Sequence, residues 1–171
     1  MAHLMPRQPA PALTVDLLDG GVWTLADQQP EHFTLIIFYR GYHCPMCKAQ
    51  LRDLDRNLEG FAALGVDVIA ISSNPRELAQ QTVDDWKLAN LTVGYGLSLD
   101  KAREWGLYIS NAIKESEPDQ FSEPGFFIIN PDGSLYGSTV ATMPFARTTA
   151  KQLLDALSFI ISKGYPSRGE A

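Results

Sequence analysis

The run Thr34-Leu35-Ile36-Ile37-Phe38-Tyr39 constrains this chain more than any other stretch. It is continuously apolar and rich in β-branched and aromatic residues, as expected of a central strand buried on both faces of a sheet. Val66-Asp67-Val68-Ile69-Ala70-Ile71-Ser72 reads as a second buried strand. Between the two, Leu51, Leu54 and Leu58 recur at helical spacing among Lys48, Arg52, Asp53 and Arg56, with Gly60 as the stop. A strand, helix, strand unit of this kind must be parallel and right-handed.

The other segments extend this unit. Leu13 to Leu17 and Val22 to Leu25, joined through Asp19-Gly20-Gly21, form an N-terminal β-hairpin. Asn74 followed by Pro75 is a cap with proline at the first helical position, predicting a helix to about Asn90 with Leu78, Ala79, Val83 and Trp86 inward. Leu91 to Leu97 is a weak strand, Asp100 to Trp105 a short helical turn, and the polar stretch Asn111 to Glu123 an exposed loop. Phe126 to Asn130 and Ser134 to Val140 flank Pro131-Asp132-Gly133 as an antiparallel hairpin. A last helix over about Thr148 to Lys163 buries Leu153, Leu154, Leu157, Ile160 and Ile161 and stops at Gly164.

The expected fold is α/β and thioredoxin-like: a central mixed sheet flanked by helices, extended by the N-terminal hairpin. One domain covers residues 1–171, with residues 1–11 and 165–171 as loose termini. A formal charge of −6 gives no electrostatic reason to expect nucleic acid or an anionic membrane surface as partner. No apolar run reaches the roughly 18 residues of a membrane span, and the N-terminus lacks a signal-peptide pattern, so a cytoplasmic location is expected.

The two cysteines, Cys44 and Cys47, stand three residues apart between the central strand and the helix after it. In a compartment that keeps thiols reduced, this spacing points to catalysis or redox sensing rather than to a permanent staple. At a helix N-terminus, backbone N–H groups and the helix dipole stabilise a thiolate. Cys44 lies at the loop-to-helix junction and is the more exposed sulfur in this reading. Cys47, one turn on, is placed to attack a mixed disulfide on Cys44. Pro45 suits the first turn, where no N–H donor is needed. Arg40 and His43 are candidate electrostatic partners of the thiolate, although each also has a packing or capping role open to it. Two cysteines argue against zinc, and completing a site with His43 and His32 would need ligands at preorganised spacings. No metal or cofactor is expected.

At these residues the chain resembles the thioredoxin-like superfamily and, within it, the alkyl hydroperoxide reductase/thiol-specific antioxidant group of peroxiredoxin-like proteins. The resemblance covers roughly Leu13 to Ile161, through Asp19-Gly20, Phe38-Tyr39-Arg40-Gly41, Cys44-Pro45-Met46-Cys47 and Phe127 to Gly133. In peroxiredoxins a proline, three residues, a threonine and two further residues precede the peroxidatic cysteine. Here those three places fall on Arg40, Cys44 and Cys47. The family's arginine ahead of the last hairpin is replaced by Pro124, so the resemblance leaves Arg40 or Arg147 to supply that donor. A proline at this place is the thioredoxin pattern, where it is cis, which makes Glu123-Pro124 a candidate cis bond. Phe38 stands where thioredoxins keep a buried aspartate, and His43 replaces their tryptophan.

Three readings follow. In the first, the chain is a thiol-disulfide oxidoreductase: Cys44 attacks, Cys47 resolves, Pro124 shapes the substrate groove, and His43 or Arg40 tunes the thiolate. In the second it is a thiol peroxidase acting on hydrogen peroxide or alkyl hydroperoxides, with Cys47 peroxidatic and Cys44 resolving. In the third it is a non-enzymatic redox sensor or binding module. The expected partners are a protein disulfide or peroxide substrate and a thiol reductant such as thioredoxin or glutathione. A homodimer, common among relatives, is compatible with the sequence but demanded by no part of it.

Overall fold

The computed structural model describes residues 4–171. Among these residues, nine strands and five α-helices follow in chain order. The hairpin β1 (Thr14–Leu17) and β2 (Val22–Thr24) leads to β3 (Phe33–Phe38), α1 (Pro45–Arg56), α2 (Leu58–Ala63) and β4 (Val66–Ile71). Then come α3 (Arg76–Trp86), β5 (Thr92–Tyr95), α4 (Leu99–Glu104), β6 (Ile109–Asn111) and β7 (Gln120–Ser122). The chain closes with β8 (Gly125–Ile129), β9 (Leu135–Val140) and α5 (Ala150–Lys163).

Seven strands form one sheet in the order β2-β1-β5-β4-β3-β8-β9, and β6 pairs with β7 apart from it. Strand β4 is parallel to both β3 and β5, whereas β8 is antiparallel to β3, with Phe38 opposite Gly125. The mixed sheet and the parallel strand–helix–strand unit are as the sequence implied. Every residue of β3 is buried. Its alternation divides the core: Leu35, Ile37 and Tyr39 pack with Leu51, Leu54, Trp86, Leu153 and Leu157 on one face. Ile36 and Phe38 pack with Trp105 and Phe127 on the other. Both cysteines belong to the first face.

Several local expectations are corrected. Helix α1 is interrupted at Asn57, whose side-chain amide donates back to the Asp53 carbonyl, so Gly60 lies inside α2 instead of ending the first helix. Asn74 does not cap α3: it is buried, and its side-chain oxygen accepts the Tyr42 N–H at 2.8 Å. Helix α3 stops at Trp86 because Lys87 turns left-handed and the Asp55 carboxylate gathers the N–H groups of Ala89, Asn90 and Leu91. The stretch expected to be an exposed loop begins on the last residue of β6 and contains β7 near its end, with Phe121, Ser122 and Glu123 buried.

Within the described residues the termini are held rather than loose. Arg7 and Ala10 donate their N–H groups to Leu135 and Gly133, and Leu135 donates to Gln8, so the arm covers the start of edge strand β9. The Arg7 guanidinium reaches the Ser167 carbonyl, and Tyr136 donates its hydroxyl to the Tyr165 carbonyl. No helix among the described residues is long and apolar enough to cross a membrane.

Candidate thiol site

Strand β3 ends at Phe38 and the chain must turn sharply to start α1 at Pro45. Gly41 makes the turn at φ 134°, and a side chain there would press on Asn74, whose amide lies 2.8 Å from the place a Cβ would occupy. Cys44 follows with extended dihedrals and acts as the helix cap through its sulfur, which accepts the Cys47 N–H at 3.3 Å. Pro45 occupies the first helical position. Cys47 sits in the first turn, one face of α1 away from solvent.

The two thiols are free and lie in the same pocket of the core. Cys44 is 1% exposed and Cys47 0%, so the expected difference in exposure is absent. Their chemical surroundings differ instead. The Cys44 thiol is lowered from its usual 9.0 to about 5, first by the hydrogen bond from the Cys47 thiol. The Cys47 N–H and the Arg40 and Arg147 guanidinium groups act in the same direction, against the cost of burial. Burial pushes the Cys47 thiol up, and the neighbouring Cys44 adds to this.

Arg147 bridges the two sulfurs. Its Nη2 lies 3.4 Å from Cys47 Sγ and 3.9 Å from Cys44 Sγ, Nη1 donates to Gln50 Oε1 at 2.7 Å, and Nε donates to the Pro144 carbonyl at 2.5 Å. Cys47, Gln50 and Asp53 rise along one side of α1 at three-residue intervals, and Asp53 accepts the Ala150 N–H at 2.7 Å. The helix that carries the cysteine therefore also fixes the segment that carries the arginine. The chain's return after β9 brings Pro144, Ala146 and Arg147 to the site.

Arg40 follows β3, and its guanidinium and the Cys44 thiol each favour the charged form of the other. Its Nε is 3.1 Å from Glu123 Oε2, and its guanidinium covers the Phe121 ring at 4.7 Å. His43 packs edge-on against the same ring, with centroids 4.6 Å apart. Burial first, and Arg40 next, lower the His43 pKa, so the imidazole is neutral and not a cationic partner. Pro124 is buried beside Gly125 and lines a cavity of about 30 Å³ shared with Gln50, Ala146 and Arg147. No described peptide bond is cis, so Glu123-Pro124 is trans, which corrects the candidate cis assignment. The Ala141 N–H ties the Pro124 carbonyl to the chain after β9.

His32 is at the opposite end of β3, its Nδ1 on the Leu64 carbonyl, too far along the strand to join His43 and the cysteines. Three residues of the site escaped the sequence reading: Gln50, Phe121 and Glu123. Gln50 was legible only as the residue three after Cys47 on a helix. Phe121 was the one large aromatic in a polar stretch.

The AhpC/TSA family model matches residues 6–137, more than half of the chain and the whole of the turn that bears the cysteines. The chain belongs to the AhpC/TSA family. Two Mycobacterium tuberculosis proteins, from strains CDC 1551 and H37Rv and named as peroxiredoxins, are each 32% identical over 114 residues. The match covers 62% of this chain and 66% of the length of those relatives. Among solved structures, a peroxiredoxin-like protein of Aquifex aeolicus superposes with a TM-score of 0.75 at 16% identity, over 92% of this chain and 88% of that one. The reduced Prx3 of Vibrio vulnificus, crystallised in complex with hydrogen peroxide, gives 0.76 at 16% identity, over 91% and 99%. At those identities the likeness establishes the thioredoxin-like fold of the family.

Proposed function

We propose that this chain is a thiol-disulfide oxidoreductase that cycles Cys44 and Cys47 between dithiol and disulfide, with Cys44 as the attacking sulfur. The observation that carries this reading is the contrast between the two sulfurs. Cys44 caps α1 and is held as a thiolate, while the neighbouring Cys47 is held as a thiol. The thiolate is the nucleophile in such exchange.

The Cys44 thiolate attacks one sulfur of a substrate disulfide, whose S–S bond breaks and releases a first thiolate to take a proton from water. Cys44 is then neutral, in a mixed disulfide. Burial still favours the Cys47 proton, but the negative charge that added to it has gone, and Arg147 now faces Cys47 alone at 3.4 Å. Cys47 loses its proton and attacks Cys44 Sγ. The mixed S–S bond breaks, the second substrate thiol leaves, and the Cys44–Cys47 disulfide remains. A thiol reductant such as thioredoxin or glutathione returns the two electrons. Arg147 thus serves the two steps in turn, with Pro45 starting the helix and Pro124 walling the neighbouring cavity. A reducing compartment such as the cytoplasm suits this cycle, and a homodimer is consistent with the family.

A second reading, thiol peroxidase, is favoured by Arg147 on Cys47 and by the burial of both sulfurs, which a small hydroperoxide penetrates more readily than a folded protein. The names of the mycobacterial relatives support it. In this case Cys47 attacks the peroxide, becomes a sulfenic acid as the alcohol or water leaves, and condenses with Cys44, releasing water. Both readings predict that the reduced chain, treated separately with a small aromatic disulfide and with hydrogen peroxide, forms a Cys44–Cys47 disulfide that a dithiol reverses. Peptide mapping by mass spectrometry checks this. A chain that ends as mixed disulfides or over-oxidised thiols, with no internal bond, overturns both.

A further inference from the structure

We infer that Glu123 is a positioning residue for the thiol chemistry: it holds the Arg40 guanidinium against Cys44, and without its charge the guanidinium no longer stays at the sulfur. The inference rests on the reading of Cys44 as the attacking sulfur.

Glu123 is the residue after β7 and only 3% exposed. Carboxylates are rarely buried to this degree unless something holds them there. Its N–H bonds the Tyr108 carbonyl at 2.7 Å, and its Oε1 accepts the Ser110 hydroxyl at 2.7 Å, so backbone and side chain are both fixed to the start of the β6–β7 hairpin. The other oxygen is left for Arg40 Nε at 3.1 Å. That N–H is not aligned for a hydrogen bond, so the contact acts through opposite charge. Phe121, two residues earlier, covers the plane of the same guanidinium. The hairpin thus grips Arg40 on one edge and one face.

A carboxylate in this place would be counterproductive if it acted on the sulfur only through its own charge. A negative charge near a thiolate disfavours the thiolate. Its presence is explained if holding Arg40 in place outweighs that repulsion, and the two effects have opposite signs, which makes them separable. The charged and titratable groups around Cys44 come from four sides: Arg40 after β3, Cys47 on α1, Arg147 before α5, and Glu123 after β7. Lys114 and Glu117, on the β6–β7 connection, act on His43.

The test uses the full chain carrying Cys47→Ser, which leaves Cys44 as the single thiol beside a hydroxyl able to donate to it. The rate of alkylation by iodoacetamide is followed against pH. Adding Glu123→Gln is expected to raise the apparent Cys44 pKa by about one unit or more, about a fivefold loss of thiolate at the pH where the parent is half ionised and about a tenfold loss well below it. Arg40→Met should raise it likewise, and the two substitutions together should go little beyond the larger single effect, because they act through one contact. A Cys44 pKa that falls or stays unchanged in the Glu123→Gln chain overturns the inference. If circular dichroism shows that chain unfolded, Ser110→Ala, which frees only one carboxylate oxygen, should give a smaller rise, and no rise overturns it. An ordinary thiol pKa in the parent would remove the Cys44 reading and this inference together. A low parent pKa with no rise removes the inference alone.

Discussion

Replacing Arg147 by methionine keeps most of the length of the side chain and removes its charge and all its donors. In the structure those donors reach Cys47 Sγ at 3.4 Å, Cys44 Sγ at 3.9 Å, Gln50 and the Pro144 carbonyl. A hydrogen bond to a charged group contributes about 1.5–3 kcal/mol, and the lower end applies because one nitrogen is shared between two sulfurs at long distances. That corresponds to about a tenfold effect, rising to about a hundredfold if Arg147 bears on Cys47 alone once Cys44 is consumed. The loss should fall on the second step. Cys44 keeps the Cys47 N–H and Arg40, so its first attack slows less than the closure of the internal disulfide. A small aromatic disulfide that releases a coloured thiol at each step separates the two rates in a stopped-flow trace. The second release is expected to slow by about ten- to a hundredfold in Arg147→Met. A second release within about twofold of the parent would refute the assignment of Arg147 to the Cys47 step.

Gln50→Ala should act in the same direction and more weakly, because it frees Arg147 from α1 without removing its charge; the same trace measures it. Asn74→Ala strands the Tyr42 N–H and loosens the turn at Gly41, and is expected to destabilise the fold by about 1–3 kcal/mol in urea unfolding. Stability should also depend on pH through the two thiols. The Cys44 pKa is lower in the folded chain, so its contribution is complete above the ordinary value of 9.0 and is lost as pH falls toward about 5. Cys47, raised by burial, opposes folding only as pH climbs past its ordinary value. The urea midpoint should therefore rise between about pH 5.5 and 8 more in the wild-type chain than in Cys44→Ser.

The central elements were legible because each carried its own local signal. The unbroken apolar run of β3, the leucine spacing of α1 and the Pro131-Asp132-Gly133 turn needed no distant partner to be recognised. The placement of Arg147 at the cysteines followed from topology, since β9 must return the chain to the edge it left. The β6–β7 hairpin was not legible. Its strands are three residues each, a polar connection separates them, and Phe121 alone gives no period. Its burial follows from the company of Arg40 and His43, which is a tertiary fact. Glu123 looked like one more solvated charge for the same reason. Asn74 had the position of a helix cap, but the turn at Gly41 claimed its side chain first. His43 stood in the right place to tune a thiolate, yet burial beside Arg40 keeps it neutral.

The proposed cycle turns on which sulfur attacks. Its most direct test is to treat the Cys47→Ser and Cys44→Ser chains with one equivalent of a small disulfide at neutral pH and to map the adducts by mass spectrometry. The expected result is a mixed disulfide that forms rapidly on Cys44 and persists in Cys47→Ser, with Cys47 in the other chain reacting at least about tenfold more slowly. Faster capture at Cys47, or equal rates at the two sulfurs, would contradict it.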